Sequence, residues 1–166
     1  MTPSLESPLS IRPARPGDVP ALVALFTAAV HRLAAGAYDE AQRAAWAPLL
    51  PDLSAWQQRF AALSTRIAVD GTDSARPAPA GFIAWQPNGL IDLLFCAPDR
   101  ARRGVASALL ATAAAELAAQ GVHRLSTEAS LVARPFFARH GFVVVEEQTV
   151  VRGGQAFRRF AMQRAG

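Results

Sequence analysis

Lysine is absent from this 166-residue sequence; its seventeen basic residues are all arginine. The formal net charge is only +4, and the arginines are scattered apart from Arg100, Arg102 and Arg103. A nucleic-acid-binding protein would present a continuous basic face or a known binding motif, so no nucleic-acid partner is expected. An anionic small ligand at one spot remains open. Cysteine is almost absent too. The lone Cys96 excludes an intramolecular disulfide framework and a multi-cysteine metal site. His31, His123 and His140 lie far apart without metal-ligand spacing, so no metal is expected. No apolar run approaches the roughly 18 residues of a membrane-spanning helix. Met1 to Ser10 has neither the basic nor the long apolar region of a signal peptide. No membrane association and a cytoplasmic location are the expectations.

About half of the residues are apolar, many of them alanine, and charged residues make up 18%. That profile belongs to a compact α/β or α+β protein rather than a disordered chain. The length suits one domain over residues 1–166, with one core.

Local patterns divide the chain. Leu9-Ser10-Ile11-Arg12 alternates as a strand, and Asp18, with Pro20 in the first turn, is placed to cap a helix. Val19, Leu22, Phe26, Val30 and Leu33 share one face of that helix, which ends by Gly36. Shorter helices are expected from Tyr38 to Trp46 and from Pro51 to Phe60. A strand follows from Arg66 to Asp70, then a loop from Gly71 to Ala80. Ala80–Gln86 and Leu90–Cys96 read as a hairpin around Pro87-Asn88-Gly89. The clearest helix runs from Gly104 to Gln120, with Val105, Leu109, Ala113 and Leu117 on one face. Strand Leu125–Ala129, helix Val132–His140 and a last hairpin, Phe142–Val151 with Gln155–Met162, complete the chain.

The chemically informative stretch runs from Leu93 to Leu110, where a strand enters a turn rich in arginine and a long helix begins. Free N–H groups and the positive end of the helix dipole make such a start a ready anion site. Gly104 admits a phosphate close to the backbone, small Ala106 keeps the next turn open, and Arg102 and Arg103 add charge. The same residues also read as an ordinary helix cap with solvated arginines. Neither G-x-x-x-x-G-K-[ST] nor a strand-following G-x-G-x-x-G is present.

Ala101-Arg102-Arg103-Gly104-Val105-Ala106 resembles the Q/R-x-x-G-x-G/A signature of the GNAT superfamily of acyl-CoA-dependent N-acyltransferases, with Ala101 at the first position. A second family landmark, a short helix ending in Gly-Phe, appears as Ala133 to Phe142. The resemblance covers essentially the whole chain in element order. It implies a three-layer α/β fold with a mixed, mostly antiparallel sheet and helices on both faces. It also implies direct transfer of an acetyl group from acetyl-CoA to an amine, in a small molecule or a peptide, with dimerisation through the last strands.

By the same resemblance the donor lies along Leu94, Phe95 and Cys96, and its pyrophosphate meets Arg102, Arg103, Gly104, Val105, Ala106 and Ser107. Backbone groups of Leu94 and Cys96 pair with the pantetheine arm, and the Leu94 N–H is placed to polarise the acyl carbonyl. Phe137 stands where many relatives carry a tyrosine that protonates the departing thiolate. Ser130 stands at the position of a family asparagine; it either serves the donor or caps the helix ahead of Leu131. Glu128 is the first candidate for the base that deprotonates the amine, and Asp92 is the alternative; each also reads as a plain strand carboxylate. Tyr38, Trp46 and Trp85 are candidates for the acceptor pocket, whereas Trp56 reads as core. Cys96 reads as packing rather than as a nucleophile. Two other classes stay open at this point: a non-catalytic acyl-CoA-binding sensor, motivated by Phe137, and an arginine-rich nucleic-acid module.

Overall fold

The computed structural model describes residues 9–70, 78–101 and 103–165. Arg102 and most of the expected Gly71 to Ala80 loop lie outside them. The described chain forms β1 (Leu9–Pro13), α1 (Val19–Leu33), α2 (Glu40–Trp46), α3 (Leu53–Ala61), β2 (Ser64–Asp70), β3 (Pro79–Trp85), β4 (Leu90–Cys96), α4 (Val105–Ala119), β5 (Leu125–Ser130), α5 (Arg134–Arg139), β6 (Val143–Arg152) and β7 (Gln155–Arg164). Seven strands make one sheet in the order β1-β2-β3-β4-β5-β7-β6. Every neighbouring pair is antiparallel except β4 with β5, which is parallel. The expected three-layer, mixed α/β architecture is the one observed.

Strand alternation explains the two cores. Ile83 and Trp85 of β3 point to one face, where they meet Leu109, Ala113 and Leu117 of α4. Phe82 and Ala84 point to the other, against Leu22, Val23 and Phe26 of α1. A sheet buried on both faces needs near-continuous apolar strands, and β3 is buried along six of its seven positions. Helix α4 lies very close to that strand. A Cβ on Gly81 would stand 2.8 Å from a methyl of Val105 and 3.0 Å from the Phe95 carbonyl oxygen. Only glycine permits that approach, and the alanines of α4 provide a matching flat surface.

Three local expectations change. Asp18 stands at the start of α1 without bonding its N–H groups. Its carboxylate is taken by the Arg12 guanidinium at 2.9 and 3.0 Å and by the Arg15 N–H at 2.7 Å. Leu33 is 40% exposed and lies outside the core, and Val30 and Ala34 carry the burial of that end of α1 instead. Helix α2 begins at Glu40, not Tyr38, since Asp39 caps it by accepting from Gln42 N–H at 2.7 Å. That releases Tyr38 to fold inward, where it is buried with Ala34 and Phe157.

Candidate functional site

The site begins where the sheet comes apart. Strands β4 and β5 pair only at Leu90 with Ser126 and Ile91 with Thr127, and then separate. A register shift against β3 falls between the pairs Trp85–Ile91 and Ala84–Leu93, leaving Asp92 as the extra residue of a bulge. The shift reverses which way the β4 backbone faces. Before it, the Ile91 carbonyl points to β5 and accepts from the Thr127 hydroxyl at 3.0 Å. After it, Ala97 N–H bonds Ala80 O on the β3 side at 2.9 Å. By alternation, Phe95 faces β3 while the backbone groups of Leu94 and Cys96 face the gap.

A cavity of about 190 Å³ fills the gap and extends beneath α1, α2 and α3. Its aromatic wall is a chain of ring contacts: Phe26 lies 4.9 Å from both Trp56 and Phe95, and Trp46 lies 5.5 Å from Tyr38. Trp56 therefore borders the cavity as well as the core. Tyr38 and Trp46 line it as the sequence suggested, but Trp85 does not. Strand parity puts Trp85 on the α4 face, buried, with the Arg66 guanidinium 5.3 Å from its ring.

Charge gathers at the opposite wall. Glu128 and Asp92 both line the cavity, and each holds an arginine: Glu128 with Arg159 at 2.6 Å, Asp92 with Arg59 at 3.3 Å. Arg59 also lies 5.1 Å from the Trp56 ring. A third lining arginine, Arg152 at the end of β6, makes no hydrogen bond or ion pair among the described residues. Its pKa is lowered, first by desolvation and then by repulsion from Arg159 and Arg59, partly offset by attraction to Glu128 and Asp92. Arg158 also borders the cavity, but alternation along β7 directs its side chain to the other face, where it pairs with Glu147. The sequence reading missed Arg59, Arg152, Arg159 and Phe26. For Arg159 the signal was a two-residue period that places Glu128, Ser130, Arg159 and Phe157 on one sheet face, legible only once β5 is known to pair with β7.

At the inner end, Ser130 does cap the turn before α5, accepting from Ala133 N–H at 3.1 Å. Its hydroxyl interacts with that of Tyr38, which accepts a hydrogen bond from Leu131 N–H at 2.9 Å. Burial pushes the Tyr38 phenol up from its ordinary pKa, more than these two interactions lower it. Phe137 is buried beside this group and borders the cavity.

The start of α4 lies beyond the Cys96 end of β4. Gly104 adopts φ +81°, a left-handed conformation, and a Cβ there would meet nothing within 4 Å. This open cradle, with exposed Arg103 beside it, fits a pyrophosphate. The first-turn N–H groups of Val105 and Ser107 have no acceptor within the helix. That of Ala106 is bonded to Cys96, whose thiol burial pushes up to about 11. The Ser107 hydroxyl meets His140 Nε2 at 3.0 Å, tying α4 to the end of α5. Val105 is buried against β3 and anchors the turn. Among the described residues no group of His, Cys, Asp or Glu side chains is arranged to hold a metal, and no helix is long and apolar enough to cross a membrane.

Known proteins share this fold. Residues 34–163 match the acetyltransferase (GNAT) domain. The chain is 36% identical over 155 residues to the uncharacterized N-acetyltransferase YafP of Escherichia coli (strain K12), spanning 93% of this chain and 95% of that one. A GCN5-related N-acetyltransferase structure from Rhodopseudomonas palustris superposes with a TM-score of 0.88 at 29% identity, covering 99% of this chain and all of the other. The PaiA N-acetyltransferase of Thermoplasma acidophilum, solved in complex with coenzyme A, shares the fold with a TM-score of 0.69 at 19% identity, covering 96% and 99%. With its sheet parted between β4 and β5 and its glycine-opened helix start, the chain belongs to the GNAT family of acetyl-CoA-dependent N-acetyltransferases.

Proposed function

We propose that this protein moves an acetyl group from acetyl-CoA to a primary amine by direct transfer within a ternary complex. One observation carries the reading: β4 parts from β5 after two residue pairs, and a bulge turns the backbone groups of Leu94 and Cys96 toward the opening. Unpaired strand groups beside a cavity suit an extended amide-bearing arm, which adds to the edge as a strand would. Arg103, Gly104, Val105 and Ser107 hold the pyrophosphate, Arg102 adds charge, and Ala106 keeps the approach open. Phe95 and Phe137 supply apolar walls for the arm. The coenzyme A complex of PaiA supports the same class of ligand for this chain.

The donor supplies an activated acyl group on a thiol leaving group. The chain's own residues do the rest. The acceptor enters as an ammonium ion and must lose a proton before its nitrogen has an electron pair to give. Glu128 takes that proton, with Asp92 as the alternative; both border the cavity and lie within one wall of it. The new N–C bond forms as the C–S bond breaks, and the bonding pair leaves with sulfur. The Leu94 N–H bears on the carbonyl oxygen as charge builds there. Phe137 has no proton to give, so the sulfur leaves as a thiolate or is protonated through Ser130 and water. Tyr38 and Trp46 bound the acceptor.

The test is the thermal midpoint with acetyl-CoA, free CoA and ATP, followed by thiol release with amine acceptors. Acetyl-CoA at about 100 times its dissociation constant should stabilise by about 2.7 kcal/mol, a shift of roughly 5–10 °C. Free CoA should do likewise and ATP little. Gly104→Glu should abolish the shift; an intact shift in that variant places the pyrophosphate elsewhere.

A further inference from the structure

The acceptor wall carries three guanidinium groups against two carboxylates. Arg59 and Arg159 are matched by Asp92 and Glu128, which leaves the charge of Arg152 over. An amine acceptor is itself a cation at neutral pH, and a cavity with surplus positive charge repels a simple alkylamine. The surplus becomes favourable only if the acceptor brings an anion of its own. Arg152 stands where that anion would be met. It ends β6 at the turn into β7, beside α2, because Gln42 Nε2 donates to Ala156 O at 3.1 Å and holds the turn against that helix. Its side chain shares a sheet face with Val150, Phe157 and Arg159. The opposite wall, Phe26, Trp46, Trp56 and Phe95, is aromatic.

We infer that the acceptor is a zwitterion of the amino-acid class, with its carboxylate on Arg152, its amine toward Glu128 and Asp92, and an apolar or aromatic side chain against the Phe26–Trp46–Trp56 wall. Guanidinium pairs with a carboxylate through two parallel hydrogen bonds, which fixes orientation as well as charge. The cavity, about 190 Å³, is sized for a small acceptor group beside the donor's arm. The start of α4 contributes nothing to this wall, so the anion it meets is distinct from the donor's phosphates. The inference rests on the acetyl-transfer reading above and names its acceptor class.

Matched pairs test it: phenylalanine against phenethylamine and leucine against isoamylamine, with acetyl-CoA saturating and thiol release as the readout. The wild-type protein should favour the carboxylated member of each pair by at least about tenfold in kcat/KM. Arg152→Gln should collapse that ratio chiefly by raising KM for the amino acid, and Arg152→Lys should restore part of it. Equal or better use of the decarboxylated amines overturns the inference, as does an Arg152→Gln variant that weakens both members equally. Acetyl-CoA binding without acetylation of any amino acid tried, while simple amines react, overturns the acceptor class and leaves the donor reading intact. Absence of any acetyl-CoA-dependent thermal shift overturns the donor reading and this inference with it. Thermal midpoints of both variants, expected within a few degrees of wild type, separate a lost contact from a lost fold.

Discussion

The hydroxyl of Tyr38 accepts a hydrogen bond from the backbone N–H of Leu131, 2.9 Å away and 93 positions along the chain. Tyr38 is the only tyrosine in the sequence, and it ties the segment between α1 and α2 to the turn that opens α5. Removing the hydroxyl leaves a partly buried N–H without its acceptor, at a cost of about 1–3 kcal/mol. Tyr38→Phe should therefore lower the thermal midpoint by several degrees. It should also lower acetyl-transfer rate, because the α5 turn that carries Ser130 loses its tie to Tyr38. A variant as stable and as active as wild type would show that this bond is not what positions the α5 turn.

Cys96 is predicted to be a poor thiol. Its pKa rises from 9.0 to about 11, mainly through burial, so almost none is thiolate at pH 8. Iodoacetamide at pH 8 should modify it far more slowly in the native protein than in denaturant, as read by intact mass. The sign of the linkage follows. A folded-state pKa above the unfolded one means that the native thiol keeps its proton longer. Its contribution to stability is complete below pH 9 and is lost as the pH rises through about 11. Cys96→Ala should flatten that alkaline loss.

Asp18 behaves in the opposite sense. The Arg12 guanidinium, and then the Arg15 N–H, hold its carboxyl below the ordinary 3.8. Its contribution is present above that value and disappears as the pH falls through the lowered one. Asp18→Asn should cost about 1 kcal/mol at pH 7, a figure kept small by the partial exposure of both side chains. Thermal melts of the variant and wild type should begin to converge below the ordinary 3.8 and close as the pH falls through the lowered value. A gap that never narrows on acidification would mean that the charge does not matter there.

Trp46 and Trp85 should separate cleanly. Trp85 is buried on the α4 face, so Trp85→Phe should cost about 1–3 kcal/mol of stability and leave acceptor KM within about twofold. Trp46 borders the cavity, so Trp46→Ala should raise acceptor KM severalfold while acetyl-CoA affinity changes little. Steady-state kinetics on both variants, with melts alongside, check the pair.

Gly104→Ala probes the helix start apart from any ligand. Nothing stands near the added methyl, so its cost is backbone strain alone, about 1–2 kcal/mol at φ +81°. Stability should fall by that amount in denaturant unfolding. An unchanged midpoint would mean that the turn relaxes out of the left-handed conformation.

Much of this was legible in the one-dimensional pattern because it is local physics. The face of Val105, Leu109, Ala113 and Leu117 on α4, the Pro87-Asn88-Gly89 turn and the Gly153-Gly154 turn each depend on residues a few positions apart. So does the Ala101 to Ala106 signature, since a glycine at a helix start carries its meaning within one turn. These local features were enough to name the family and to place the elements along the chain.

What lay beyond the pattern were relationships between distant segments. Asp18 looks like a helix cap until β1 brings Arg12 beside it. Trp85 looks like pocket lining until strand parity turns it toward α4. The pairing of Arg159 with Glu128, and the place of Arg152 beside that pair, depend on β7 inserting between β5 and β6. Side-chain direction on a strand is set by register, and register between segments thirty residues apart is decided by how the whole sheet packs. The sequence by itself thus determined the family, the order of elements and the place of the donor signature. Only the tertiary structure decided which charges face the acceptor, because a charge acquires its partner from the sheet and not from its neighbours in the chain.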